Sequence, residues 1–405
     1  MAAPLEQPIL PPEVAARYEV VQVPPERSSF QGSLGSYLLG EGSYGQVLMV
    51  RPLSALRLKS GRRRKHESLA LKRCFGCLDH SDVTTLRRIY REVSVLRQLQ
   101  HENIVVLEDV IFPSHGTDIF LVFELAEQDL ARAISRNELD QPAQCRVACD
   151  VLRALKYLHG ASLLHRDVKP SNVLLDAHGS AKLCDLGLVR QIGFYPRGLT
   201  EYVGMRWYRA PELLLGSQRY NFGVDIWAFG CVVAEMALGR PVLPGISAEE
   251  QLGLIVGLVL GRRPDELEAE LPGIPEEGGA RLLRTQPLGS TLEARLGSNV
   301  DSSAMDFIRR CLQLSADDRY TAMKLLQHPL LAKLRKDTDD QLFMEPITMA
   351  LKDGQVHSPE LYTEALTAEV KLFEDHKDPG SCGSCSSSEA SSSDEAKEEQ
   401  DPRND

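Results

Sequence analysis

The sequence predicts an α+β fold in two lobes, a smaller strand-rich one followed by a larger helical one. Three observations predict it. Up to about residue 126 the apolar residues come in short runs bounded by glycine and polar turns, such as Tyr37-Leu-Leu-Gly40, Ser68-Leu-Ala-Leu-Lys72 and Asp118-Ile-Phe-Leu-Val-Phe-Glu124. From about residue 127 they recur at helical steps, as in Val147, Val151, Leu155 and Leu158. Just after that change, Leu164-His-Arg-Asp-Val-Lys-Pro-Ser-Asn-Val-Leu-Leu175, followed ten residues later by Asp185-Leu-Gly187, gathers polar side chains between short strand-like runs.

Composition sets the frame. The chain has 405 residues, 43% apolar and 25% charged, which is ordinary for a soluble globular protein with sizeable cores. No run approaches the roughly 18 to 20 apolar residues of a membrane span, and the N-terminus lacks a signal-peptide pattern. An intracellular location, cytoplasmic or nuclear, is expected. Nine cysteines are too sparse for a disulfide framework, and Cys145, Cys149 and Cys231 sit in helix-like patterns where buried, reduced thiols are usual. Of the formal charge of −11, residues 389–405 carry −5, leaving a mildly acidic body that argues against generic nucleic-acid binding.

Residues 1–31 form a Pro-rich N-terminal extension, read as an extended lead-in. Gly40-Glu-Gly-Ser-Tyr-Gly45-Gln-Val47 then fits G-x-G-x-x-G-x-V, and since no helix pattern follows, it is a strand-loop-strand cover whose glycines let backbone amides approach phosphates. Lys72 ends the next strand. The connection before it holds a basic run, Arg57, Lys59, Arg62, Arg63, Arg64 and Lys65, which reads as a solvated hairpin tip, a nuclear-import signal or a partner-docking patch. Leu86, Ile89, Val93 and Leu96 mark an amphipathic helix carrying Glu92, the candidate partner of Lys72.

Asp118–Glu124 is a buried strand that runs into Leu125-Ala-Glu-Gln-Asp129-Leu, a hinge between the lobes. In the central stretch, Asp167 is placed to orient a hydroxyl and take its proton, Lys169 to neutralise a migrating phosphoryl, and Asn172 and Asp185 to hold Mg²⁺. That division of labour is phosphoryl-transfer chemistry. Thr200-Glu-Tyr202, followed by Arg206 and Arg209, looks like a segment ordered by phosphorylation. Asp225–Met236 reads as a buried helix; 249–298 is hard to assign; Ala304–Leu314, Thr321–Leu326 and Glu360–Phe373 read as helices. Residues 334–378 form a C-terminal extension, and the Ser-rich acidic tail, 379–405, has nothing to bury, Cys382-Gly-Ser-Cys385 included.

His165-Arg-Asp167 through Asn172, Asp185-Leu-Gly187, the glycine loop and Lys72 together resemble the eukaryotic protein kinases over residues 32–333. Thr200-Glu-Tyr202, Lys169-Pro-Ser-Asn172, Arg153-Ala-Leu-Lys-Tyr-Leu-His159 and Arg206-Trp-Tyr-Arg-Ala-Pro-Glu212 resemble the mitogen-activated protein kinases. Phe120-Leu-Val-Phe-Glu124 and Gly223-Val-Asp-Ile-Trp227 look like the atypical branch of the extracellular signal-regulated kinases. The resemblance implies a bilobal protein-kinase fold, ATP and Mg²⁺ as cofactors, and phosphorylation of Ser or Thr followed by Pro. It implies that Gly40, Gly42 and Gly45 cover ATP and that Leu39, Val47, Ala70 and Leu174 sandwich adenine. Glu124 and Ala126 would bond adenine through their backbones, with Phe123 as gatekeeper. Phosphorylated Thr200 would meet Arg91, Arg166 and Arg190; phosphorylated Tyr202 would meet Arg206 and Arg209; Glu212 would pair with Arg319. Implied partners are protein substrates with Ser/Thr-Pro sites, an upstream kinase unless the chain phosphorylates itself, phosphatases, and docking-motif proteins bound at an acidic patch, Asp337, Asp339 and Asp340.

Leu186 replaces the family's phenylalanine, and Met205 stands where the family has a threonine that bridges the catalytic aspartate and lysine. The alternatives are a cyclin-dependent-kinase-like enzyme, which Gln128-Asp129-Leu130 resembles, and a pseudokinase scaffold, for which Met205 and the docking-like acidic and basic patches are the motive.

Overall fold

Alternation along the strands decides the first lobe. In the computed structural model, which describes residues 8–24, 27, 37–42, 45–54, 56, 57, 63, 64, 67–79, 82–192, 205–217, 221–260, 290–297, 300–341, 347–351, 355 and 357–375, this region is a six-stranded antiparallel sheet. Its strands are β1 (Tyr18–Val20), β2 (Leu38–Gly42), β3 (Gly45–Pro52), β6 (Leu69–Cys74), β7 (Leu107–Ile111) and β8 (Ile119–Glu124), in the order β1-β3-β6-β8-β7 with β2 also on β3. Leu48, Val50, Leu69, Leu71, Phe120 and Val122 share the outer face; Val47, Ala70, Lys72, Leu121 and Phe123 share the inner one, since successive side chains point to opposite faces.

That outer face is apolar and needs a cover. The N-terminal segment supplies it: Val14, on the short helix α1 (Pro12–Ala15), and Tyr18 and Val20 on β1 are buried against the outer-face residues. Burying each contributes about 1.5–3 kcal/mol relative to exposure. The Pro-rich extension expected over 1–31 is thus corrected for its described part, which belongs to the lobe. Tyr18 also donates its hydroxyl to buried Asp109 at 2.9 Å, with Arg17 on the same carboxylate at 3.3 Å.

Between β3 and β6 a small hairpin, β4 (Leu56–Arg57) and β5 (Arg63–Arg64), carries part of the basic run, with Leu56 opposite Arg64 and Arg57 opposite Arg63. Lys59, Arg62 and Lys65 lie outside the described residues. The inner side of the sheet packs on helix α2 (Val83–Gln98), capped by Asp82, whose carboxylate accepts from the Thr84 and Thr85 amides at 2.9 and 3.2 Å.

Beyond Glu124 the chain turns through β9 (Gln128–Asp129), α3 (Leu130–Ser135) and α4 (Gln141–Gly160) into the helical lobe. Short strands β10 (Leu163–Leu164), β11 (Val173–Leu175), β12 (Ala181–Leu183) and β13 (Arg190–Gln191) frame the polar stretch, with β12-β11-β9 forming one sheet and β10-β13 another. Helices α5 (Pro211–Leu214), α6 (Gly223–Leu238), α7 (Ala248–Leu260), α8 (Leu292–Leu296), α9 (Ser302–Cys311) and α10 (Ala322–Leu326) complete the lobe. α6 is buried from Gly223 to Met236, which is why its sequence is apolar all round. Of the unassigned stretch, 261–289 lies outside the described residues. The last helix, α11 (Pro359–Asp375), returns to the first lobe and packs on α2, with the Tyr90 and Tyr362 rings 5.8 Å apart and Glu369 bonded to Ser94 at 2.8 Å and Arg97 at 2.6 Å. Among the described residues no helix is long and apolar enough to cross a membrane, and the cysteines are free thiols.

Candidate functional site

Strand register places Lys72 on the inner face of the sheet opposite Val47 and Leu121, aimed away from the outer core. Its ammonium meets Glu92 of α2 at 2.8 and 3.1 Å, so sheet and helix are joined at the site by an ion pair whose Glu92 end is buried. Burial works against the Lys72 charge, but Glu92 and Asp185 more than offset it and hold the ammonium well above its ordinary range. Lys72 is therefore a permanent cation flanked by two carboxylates.

Close approach explains one glycine. A Cβ on Gly45 would lie 2.0 Å from the Arg73 carbonyl oxygen, so only glycine lets the cover loop close onto β6 at that end. Val47 and Ala70 share the Lys72 face and are half-buried, as are Leu39, Ala126 and, from the helical lobe, Leu174. Phe123 sits directly across from Ala70 and is buried. Glu124, at the end of β8, bonds its side chain to Lys182 at 2.8 and 2.9 Å and accepts the Val106 amide at 2.9 Å.

The polar stretch folds as a loop with two non-glycine residues in the left-handed region, Arg166 at φ 68° and Asp185 at φ 61°, each costing about 1–3 kcal/mol. Asp225, at the start of α6 and fully buried, holds the first. Its carboxylate accepts the His165 amide at 2.9 Å, the Arg166 amide at 2.7 Å and His159 Nε2 at 3.0 Å. Burial pushes this carboxyl up, but those partners, His159 foremost, bring it below the usual range, so it is a stable anion. His165 Nδ1 accepts the Asp167 amide at 3.2 Å, which leaves Nε2 to donate to the Cys184 carbonyl at 3.0 Å and ties the loop to the residue before Asp185.

Asp167 is thereby presented with its carboxylate on Lys169 Nζ at 2.7 Å and on Asn172 Nδ2 at 2.9 Å. Since the Asn172 amide nitrogen is committed to Asp167, its Oδ1 is the atom left to accept a further partner. Asp185 is raised by burial and lowered more strongly by Lys72, Lys169 and His165, so it is ionised. One carboxylate and one amide oxygen match a magnesium ion that takes its remaining ligands from phosphates and water. Among the described residues there is no cluster of three or more His, Cys, Asp or Glu that would hold a metal by itself.

Arg91 and Arg190 are buried, Arg166 and Arg209 half-buried and Arg206 exposed, its charge acting on Glu249; the other four have interactions within the fold. Thr200 and Tyr202 lie outside the described residues. Arg166, Asp167, Met205, Tyr208 and Arg209 line one small pocket, so Met205 and Asp167 face the same space. The Glu212–Arg319 pair is present, bidentate at 2.6 and 2.8 Å, with Arg319 also bonded to the Gly223 and Leu314 carbonyls.

The acidic patch is corrected at Asp339, while Asp337 and Asp340 are exposed. Asp339 is buried and bidentate to Arg153 of α4 at 2.8 and 3.0 Å, an internal strut that cannot receive a basic partner. Asp340 is taken up by Arg335 at 2.5 Å and Gln327 at 2.9 Å. The residue that sequence reasoning did not single out is Asp225; its signal was one acid opening an otherwise apolar helix.

Comparison with known proteins agrees with this geometry. The family model "Protein kinase domain" matches residues 36–331. Mitogen-activated protein kinase 15 of Rattus norvegicus is 37% identical over 334 residues, covering 80% of this chain and 58% of the rat protein. Extracellular signal-regulated kinase 2 of Dictyostelium discoideum is 34% identical over 334 residues, covering 78% of this chain and 84% of its own length. The tobacco (Nicotiana tabacum) mitogen-activated protein kinase homolog NTF3 is 34% identical over 301 residues, covering 73% and 77%. The chain thus spans a little over half the length of the rat relative.

Proposed function

Because the chain belongs to the protein kinase family and, within it, to the mitogen-activated protein kinases, we propose that it is an ATP-dependent serine/threonine protein kinase, proline-directed and switched by phosphorylation of Thr200 and Tyr202. The observation that carries the catalytic reading is the cluster Lys72–Glu92, Asp167–Lys169–Asn172 and Asp185, intact across two lobes. Retaining that many buried charges brings little stability by itself, which favours catalysis over a scaffold.

Val47, Ala70 and Leu174 offer apolar faces to adenine, and the half-buried Ala126 lies in the hinge. Lys72, oriented by Glu92, binds the α- and β-phosphates as a fixed cation. Asn172 Oδ1 and the Asp185 carboxylate would hold Mg²⁺, which when bound neutralises phosphate charge and fixes the oxygens in line. Asp167 accepts the proton of a serine or threonine hydroxyl at its carboxylate, and Lys169, bonded to that carboxylate, keeps it from turning away while offering its charge to the moving phosphoryl. Arg190, Arg206 and Arg209 flank the 193–204 segment in the chain and Arg166 shares a pocket with Met205 and Arg209, which supports a switch in which Arg91, Arg166 and Arg190 receive phosphothreonine and Arg206 and Arg209 phosphotyrosine.

Purified chain, phosphorylated at Thr200 and Tyr202, is incubated with radiolabelled ATP, Mg²⁺ and paired peptides that differ only in Ser-Pro against Ser-Ala. Label on the Ser-Pro peptide, lost in Lys72→Arg, is expected, because a guanidinium does not reproduce the compact ammonium contact. Equal labelling of both peptides removes the proline-directed reading; no labelling by the wild type removes the kinase reading.

A further inference from the structure

The hinge is not the only link between the lobes. The N-terminal segment is fixed to the first lobe by the β1–β3 ladder, by Tyr18 on buried Asp109, by the Val21 amide on the Met49 carbonyl at 2.9 Å, and by buried Val23. Four residues after Val23 it reaches the other side of the hinge. There Arg27 is held three ways: its guanidinium is bidentate to the Glu127 carboxylate, with Nε to Oε1 at 2.9 Å; its amide closes a turn on the Pro24 carbonyl at 2.9 Å; its carbonyl accepts from the Arg132 guanidinium of α3 at 2.5 Å.

Glu127 is itself a crossing point. Its amide donates to the Leu175 carbonyl of β11 at 2.8 Å, and Gln128 and Asp129 pair with Leu175 and Leu174. It follows Ala126 directly in the hinge. We infer that Arg27 is a positioning residue of this hinge: through Glu127 and Arg132 it ties the N-terminal segment to the helical lobe and fixes the backbone that receives adenine. The side chains are 27% and 39% exposed, so the effect is one of restrained motion and is screened in part by solvent. A bidentate guanidinium–carboxylate pair fixes direction as well as distance, which a lysine at 27 would not do.

The hinge restraint stands on geometry alone; its consequence for ATP rests on the kinase reading above. Hydrogen exchange read by mass spectrometry on the full chain without nucleotide tests the first, and steady-state kinetics tests the second. Arg27→Ala is expected to raise exchange across residues 124–129 about three- to tenfold while β6 keeps its protection, and to raise the KM for ATP by a similar factor with kcat within about twofold. The exchanged pair Arg27→Glu with Glu127→Arg should restore both. Hinge exchange in Arg27→Ala equal to wild type overturns the inference, as does a double variant no better than Arg27→Glu alone. A wild type that binds no ATP overturns the kinase reading instead, and the exchange measurement still decides the role of Arg27.

Discussion

Replacing Asp225 by asparagine changes one atom in the buried core, 58 residues from Asp167 in sequence, yet it should cripple the active loop. The carboxylate receives three donors: the His165 and Arg166 amides and the His159 ring. An asparagine has one acceptor oxygen, so whichever way its amide turns, its NH₂ faces a buried backbone N–H. One unsatisfied buried donor costs about 1–3 kcal/mol, and loss of charge assistance on the remaining bonds adds a similar amount. A total of about 3–5 kcal/mol should lower Tm by roughly 4–8 °C in a chain of this size. It should also free Arg166 from its left-handed backbone, moving Asp167 one residue away; an error on the order of 1 Å there costs roughly 100-fold in kcat. Thermal unfolding and peptide phosphorylation at a temperature where the variant is folded measure the two effects separately. A kcat and Tm both equal to wild type would show that other contacts hold the loop and that Asp225 is incidental.

Met205 shares a small pocket with Asp167, which already has Lys169 and Asn172 bound to it, so Met205→Thr adds at most one further hydrogen bond. An increase in kcat of about three- to tenfold at unchanged KM is expected for the doubly phosphorylated protein, and an unchanged kcat removes Met205 as a limit. Burial, with Asp185 nearby, pushes the Cys184 thiol up, so at pH 7.5 an uncharged alkylating reagent should label it far more slowly than a free thiol, and ATP should slow it further; rapid labelling indifferent to ATP contradicts its placement. His101 is half-buried against Tyr157, accepts the Asn103 amide, and has its pKa lowered to about 4, chiefly by desolvation. Its neutral form is the folded one, so stability is full above the unfolded value near 6.5 and is lost as pH falls toward about 4, by roughly 2–3 kcal/mol. His101→Asn should flatten that part of the stability curve, and an equal acid loss in both proteins would refute it.

Much of the site was legible because phosphoryl transfer uses residues in fixed local strings. Asp167, Lys169, Asn172 and Asp185 fall within 19 positions, and the strand and loop that hold them are set by short-range pattern. Lys72 and Glu92 were legible from a strand and a helix whose periodicities are unambiguous. Asp225 was not, because what a buried carboxylate reaches depends on how α6 packs under a loop 60 residues earlier. Asp339 was misread for the converse reason: a run of acids looks like surface, and only α4 packing shows that Arg153 needs one of them. The N-terminal segment hid a strand in proline-rich composition. Tyr18–Val20 is three residues long, too short for alternation to stand out, and its partner, the apolar outer face of the sheet, is assembled from strands up to 100 residues away.

The central claim is that Asp167 takes a proton from a substrate hydroxyl inside a nucleotide site built by Lys72, Glu92, Asn172 and Asp185. Asp167→Asn keeps the shape and an oxygen for Lys169 but removes the base. Its kcat on a Ser-Pro peptide should fall about 100- to 10,000-fold while its Kd for ATP, measured by calorimetry, stays within about threefold of wild type. A variant that transfers phosphate at the wild-type rate, with ATP bound equally well, would contradict the account.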